Sequence, residues 1–285
     1  MHQDESLSAG PSLDDNLVAP IGYHDFERVY LRTRHPLASS SPDYVHPHGT
    51  KQNNSRYLRF NTKIYQLLEV GQRPLTLLDL GCAGGGFVKS CLDDGCIAVG
   101  IEGSDYSMRT ARAEWGALGG RFLFTADIAR PFETRVSCGG LDSPLVFDVI
   151  TAWEVLEHIP EPDLEGVCTN ICKHLSAGGI VVMSISTVEY LYEGVALHQT
   201  VRPKDWWIAK FARHGLYHQP ELERYFARQY VRGRGPEART SIHVVLVRDP
   251  SRAPIPPRRL LKSRLADRWF ASRSYLLARR ALGLE

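Results

Sequence analysis

From position 75 onward the hydrophobic residues fall into short dense runs of strand length: Leu75 to Leu80, Ile97 to Ile101, Arg121 to Phe124, Val146 to Thr151, Ile180 to Ile185 and Ile242 to Val247. Between them, Phe87 to Leu92, Tyr106 to Trp115, Leu164 to Leu175 and Lys204 to Arg213 have the length and period of helices. Gly178-Gly179 fits a helix C-terminus and Pro162 a helix start. The predicted order is β-α-β-α-β-β-α-β-α-β, which is the pattern of βα units and a parallel sheet, with no internal repeat.

The segments outside this pattern read differently. Residues 1–20 are polar and expected to be disordered. Residues 21–56 carry many aromatics and histidines broken by Pro36, Pro42 and Pro47, which predicts a cap made of short pieces. The α/β domain then spans 57–248, and 249–285 form a Pro-rich linker and a tail. From Arg248 to Glu285 there are ten Arg or Lys against three acidic residues, with Leu265, Trp269, Tyr275, Leu276, Leu277 and Leu282 at roughly helical spacing. Such a basic amphipathic helix either packs on the domain's own surface or meets a partner or a membrane surface.

Composition narrows the class. With 285 residues, 43% of them hydrophobic, the chain suits one sizeable α/β domain with additions. A net charge of +2 carries no global signature of nucleic-acid binding. No run of the roughly 20 apolar residues that a spanning helix needs is present. The first 20 residues hold four acids and no Lys or Arg, unlike a secretory signal. None of the six cysteines forms a Cys-x-x-Cys pair. A cytoplasmic protein with reduced thiols is expected.

Chemistry concentrates between Leu77 and Asp105. The strand Leu77-Leu78-Asp79-Leu80 runs into Gly81-Cys82-Ala83-Gly84-Gly85-Gly86 and then a helix, so small residues let the backbone approach a ligand beside free N–H groups. Twenty-three residues after Asp79 the next strand ends on Glu102, where a carboxylate can accept both ribose hydroxyls of an adenosine. These two features fix a nucleoside and not a reaction. The dinucleotide fingerprint Gly-x-Gly-x-x-Gly is not cleanly present.

The run Leu78-Asp79-Leu80-Gly81-Cys82-Ala83-Gly84-Gly85 resembles motif I of the class I methyltransferases, with Ala83 where many members have glycine. Gly100-Ile101-Glu102-Gly103-Ser104 resembles their ribose-binding motif, and Thr125-Ala126-Asp127-Ile128 the segment around the adenine. Phe147 to Ile159 resembles the fourth-strand motif, and His174 to Gly179 the glycine-rich lead into strand five. The resemblance covers roughly residues 57–248. It implies a seven-stranded Rossmann-like sheet with the last strand antiparallel, and S-adenosyl-L-methionine as cofactor. It also implies roles: Asp79 near the amine end of the methionine moiety, Gly81, Ala83 and Gly85 under it, Glu102 and Ser104 at the ribose, and Asp127 and Ile128 around the adenine; Glu154 is counted with the cofactor-binding residues, its structural alternative being to close the cofactor pocket.

A sulfonium is already activated, so methyl transfer asks mainly for positioning, and a hydroxyl acceptor must also lose its proton. Glu154, Glu157 and His158 follow the fourth strand at i, i+3 and i+4, a spacing that places them on one face of a helical turn, and His198 follows the fifth strand. This set resembles O-methyltransferases of the ubiquinone-pathway type, which carry a similar Glu-His pair. Locally it also resembles RNA 2′-O-methyltransferases in which two glutamates and two histidines bind magnesium. His198, His158 and Glu157 are the catalytic candidates, and the metal-free version is preferred over a magnesium site of Glu154, Glu157, His158 and His198. The expected acceptor is a small molecule or saccharide. RNA is the alternative, disfavoured because the domain lacks a Lys/Arg stripe with interleaved aromatics.

Overall fold

In the computed structural model, residues 28–45, 58–68, 73–226, 229–232, 240–258 and the helix Leu261–Phe270 are described. The expectations for residues 1–20, part of the cap and the tail beyond 270 lie outside them. In chain order the elements are β1 (Arg28–Thr33), α1 (Pro42–Val45), α2 (Leu58–Leu67), β2 (Thr76–Leu80), α3 (Gly86–Asp93), β3 (Ile97–Glu102), α4 (Tyr106–Arg109), α5 (Trp115–Leu118), β4 (Leu123–Thr125), β5 (Phe132–Cys138) and β6 (Leu141–Pro144). They continue with β7 (Phe147–Trp153), α6 (Leu164–His174), β8 (Leu175–Ser186), β9 (Leu191–Tyr192), β10 (Val195–Ala196), α7 (Lys204–Arg213), β11 (Tyr217–His218), α8 (Pro220–Phe226), β12 (Ser241–Val247) and α9 (Leu261–Phe270).

The main sheet has seven strands in the order β11-β12-β8-β7-β2-β3-β4. Strand β2 pairs in parallel with β3 and β7, β7 with β8 and β3 with β4, while β12 runs antiparallel to β8 and β11. Every residue of β2, β3 and β7 is buried, as both-faced strands of an α/β sheet must be. Alternate side chains feed opposite layers: Leu78 and Ile150 join Leu164, Ile171 and Trp207, whereas Leu77 and Val149 join Phe60, Phe87 and Phe226. Phe60 of α2 meets the Trp153 ring edge-on at 5.0 Å and Phe226 at 5.3 Å, so the second layer supports the wall of the pocket above it.

Several elements depart from the expectations, each for a local reason. The helix expected from Tyr106 to Trp115 is two four-residue helices, because Ala111 and Ala113 both take positive φ between them. A hairpin, β5 and β6, turns at Gly139-Gly140, both at positive φ, and β5 pairs with β1 in a separate three-stranded sheet. Strand β8 starts at Leu175, five residues before the expected run. Helix α9 is bound to the domain: Asp267, almost fully buried, accepts from Lys63 Nζ at 2.9 Å and Arg59 Nη2 at 2.6 Å, and its carbonyl accepts from Gln229. Among the described residues no helix is long and apolar enough to cross a membrane.

Candidate active site

The carboxyl ends of β2, β3 and β7 open into one pocket, holding about 1010 Å³ of space that is partly open to solvent. Its walls include Gly81 and Ala83 after β2, Glu102 to Ser104 after β3, Asp127 to Ala129 after β4, and Trp153 to Val155 with His158 after β7. This is the edge at which open α/β sheets bind ligands.

The floor is the loop after β2. Gly81 sits at φ 71°, where a Cβ would lie 2.4 Å from Val155 Cγ2, so only glycine lets the fourth-strand loop close down on it. Ala83 takes φ 49°, an unfavourable conformation for a residue with a Cβ. It is held there from both ends: its N–H donates to Glu102 Oε2 at 2.9 Å, and its carbonyl accepts from Trp115 Nε1 at 2.7 Å. Gly85 is not a pocket wall. It caps α3 with φ 83° and packs against Leu123.

Glu102 organises the next wall. Its Oε1 accepts from the N–H groups of Gly103 and Ser104 at 2.9 and 3.3 Å. Burial pushes its pKa up, opposed by these backbone donors. Three N–H bonds leave lone pairs of a two-oxygen carboxylate for further donors such as ribose hydroxyls. Ser104 lines the pocket, and its hydroxyl oxygen accepts from Tyr106 N–H. Asp127 and Ile128 form the far wall, with the Asp127 carboxylate accepting from Ala129 N–H at 2.9 Å.

Asp79 lies behind the loop, wholly buried and outside the pocket walls. One carboxylate oxygen accepts from Thr151 Oγ1 at 2.7 Å while Oδ2 has no partner. Burial raises its pKa to about 7. An orphaned buried carboxylate oxygen behind small residues suits the amine of a ligand seated on the loop.

Glu154, Glu157 and His158 do not share one face, contrary to the helical spacing. Glu154 takes φ 56°, so the helical turn begins only at Leu156. Glu154 lines the pocket and accepts from Ser241 Oγ at 2.8 Å. Glu157 turns inward, fully buried, accepting from Ser186 N–H at 2.9 Å, and burial with the nearby Glu154 raises its pKa to about 8. His158 faces the pocket.

The segment after β1 also lines the pocket; Tyr44 is one of the aromatics of the cap read from the sequence as a substrate lid, whereas the sequence does not single out Ala38, Ser40, Ser41 and Asp43. This segment is tied down by Ala38 N–H donating to Gly103 carbonyl and Asp127 N–H donating to His35 carbonyl, both at 2.9 Å. Asp43 Oδ2 lies 2.6 Å from His158 Nδ1, an ion pair off the line of the ring N–H. Burial lowers the His158 pKa, but Asp43 outweighs it, and the net shift is upward. His198 is not among the residues that line the pocket; it meets the His158 ring edge-on at 4.7 Å, with Nδ1 2.6 Å from the Val188 carbonyl. Burial pulls its pKa down. Ligand atoms of Glu157, His158 and His198 lie within 4.8 Å of one another, and Glu154 is not in that group. Arg232 lines the pocket and lowers the Asp79 pKa through its charge. Nothing in the spacing of Asp43 or Arg232 marks them, since both come from outside the βα pattern.

Comparison with known proteins agrees with this geometry. The chain is 26% identical over 130 residues to a ubiquinone biosynthesis O-methyltransferase of Nitrosomonas europaea, covering 45% of this chain and 52% of that protein. It is 31% identical over 108 residues to the enzyme of the same name from Idiomarina loihiensis, covering 38% and 41%. The chain thus matches about half the length of these curated relatives, or less. Among solved structures it resembles the glycopeptide N-methyltransferase MtfA complexed with S-adenosyl-L-methionine, at 14% identity and a TM-score of 0.43 over 68% of this chain and 95% of that one. An overlap this loose decides nothing. The methyltransferase domain family, however, matches residues 52–229, more than half of the chain. On a sheet of this order and with this pocket, that match assigns the chain to the class I S-adenosylmethionine-dependent methyltransferases.

Proposed function

We propose that the chain methylates a hydroxyl oxygen of a small molecule or saccharide, with His198 accepting the proton and without a metal. The observation that carries this is the seating of His198: with Nδ1 against the Val188 carbonyl, the proton belongs on Nδ1 and the Nε2 lone pair is left free to accept. The names of the curated relatives support oxygen as the methylated atom.

The residues present fit S-adenosylmethionine: Gly81 and Ala83 would lie under its methionine moiety, Asp79 behind its amine, Glu102 and Ser104 at its ribose, and Asp127 and Ile128 beside its adenine. When bound, the cofactor supplies an activated methyl group, so the protein's work is orientation and proton removal. His198 takes the hydroxyl proton at Nε2. His158, paired with Asp43, holds the edge against which the His198 ring packs and contributes a hydrogen-bond donor to the pocket. Glu157 is a strut rather than a base, since it is buried and bonded to the Ser186 backbone. Glu154 closes the pocket beside Trp153. A divalent cation at Glu157, His158 and His198 is the second reading, favoured by the closeness of their ligand atoms.

Incubation with labelled S-adenosylmethionine and fractionated cell extract, with the product identified by mass spectrometry, tests the proposal. A methyl ether on a small hydroxylated product, formed after exhaustive chelation, is the expected result. A label on nitrogen, carbon or RNA contradicts it, and activity lost to chelation and restored by magnesium transfers the case to the second reading.

A further inference from the structure

Helix α9 carries one acid, and that acid faces inward. Asp267 is 2% exposed and bound by Lys63 and Arg59 of α2, which leaves the outward face of the helix without negative charge. On that face Lys262, Leu265 and Trp269 recur at i, i+3 and i+7, with Arg268 beside them, and all four are exposed. Leu265 and Trp269 are 55% and 56% exposed, a large aliphatic and a large aromatic side chain set between cations. Outside the helix, Ile255 is 89% exposed in the segment that also carries exposed Arg258, while Arg252 pairs with Asp249 at 3.6 Å and Arg59, next to the exposed Leu58, is taken up by Asp267.

We propose that this face of α9 docks on an anionic lipid bilayer. A Lys/Arg-rich helix face with interspersed Trp and Leu is suited to lie in the interfacial plane, where the cations meet anionic headgroups and the apolar side chains enter the acyl boundary. Charge complementarity selects an anionic surface, and the aliphatic Leu265 beside Trp269 favours lipid over nucleic acid because it cannot stack on bases. Anchoring through Asp267 makes the domain itself, rather than a loose tail, the body that is brought to the surface.

The test is co-sedimentation of the full chain with vesicles of phosphatidylcholine alone and of phosphatidylcholine mixed with phosphatidylglycerol, at low and physiological salt. The chain should pellet with the anionic vesicles, not with the neutral ones, and less at higher salt. The double variant Leu265→Ser/Trp269→Ser changes only exposed positions and should fold normally by thermal melt, yet require about tenfold more anionic lipid for half-maximal binding. Failure of the wild-type chain to pellet with anionic vesicles at low salt overturns the proposal, as does a double variant that binds as well as wild type. Two further outcomes also overturn it: single-stranded RNA bound through this face without vesicle binding, and a dimer disrupted by the double variant without vesicle binding.

Discussion

On the proposed reading, the cofactor half of the pocket is built from consecutive strand ends and wired by backbone, whereas the acceptor half joins Asp43 and His158, which line the pocket, to His198, which packs on the His158 ring without lining it, all three from distant parts of the chain. Glu102 receives N–H groups from Ala83, Gly103 and Ser104, so one carboxylate fixes two loops that neighbour each other in the sheet. The histidines are held mainly by side-chain contacts: the Asp43 carboxylate beside His158, the ring edge between His158 and His198, the Tyr190 ring against His198, and the Val188 carbonyl at His198 Nδ1. A site divided this way lets the acceptor side vary without disturbing the cofactor side. Its two halves should therefore fail separately.

The largest separation is expected from His198→Ala. Loss of a general base lowers turnover about a hundredfold or more, while S-adenosylhomocysteine affinity stays within about twofold. Turnover is followed by label transfer and affinity by calorimetry, and a matching fall in both would join the halves that the geometry separates.

A pH series on the cofactor side comes next. The Asp79 pKa is raised from 3.8 to about 7, so between those values the folded protein holds a proton that the unfolded chain has released. Stability therefore falls as pH rises through this window and levels off above it. Asp79→Asn should give a shallower dependence of melting temperature on pH across the same window, with the other groups whose pKa is raised, Glu157 (to about 8), Glu102 and His158, contributing to the slope that remains. An unchanged slope would mean that Asp79 is not the group responsible.

Asp43→Asn should do less, since both partners of its pair are partly exposed. Removing the Asp43 charge beside His158 should lower turnover about fivefold, on the order of 1 kcal/mol, with cofactor affinity unchanged. The smallest effect is expected at Ala83. Glycine there relieves the positive φ but loosens the unfolded chain, so Ala83→Gly should alter stability by less than ~1 kcal/mol. A loss of several kcal/mol would show that the Ala83 methyl packs against something essential.

The same contrast explains what the sequence made legible. Strands β2, β3, β7 and β12 stand close to their expected bounds because buried central strands must be continuous apolar runs, and the loop after β2 announces itself through its glycines. The hairpin Phe132–Pro144 was open to the same reading, through Gly139-Gly140 and the alternation of Phe132, Thr134 and Val136, but one face of it meets solvent and its apolar density is low. Asp43 leaves no trace in the pattern, because a charged residue in a short helix earns its place only when the chain after β1 folds back over the pocket. Helical spacing misled at Glu154: one residue at positive φ sends Glu157 into the core and leaves His158 outside.

The central claim, that this pocket is an adenosine-cofactor site organised by Glu102, is tested most directly by calorimetric titration of S-adenosylhomocysteine and of NAD into the wild-type chain and into Glu102→Ala. The expected result is one S-adenosylhomocysteine site, no NAD binding, and a loss of about 1.5–3 kcal/mol of affinity in the variant, the scale of charge-assisted hydrogen bonds. NAD binding without S-adenosylhomocysteine binding, or an unchanged affinity in a folded Glu102→Ala protein, would contradict it.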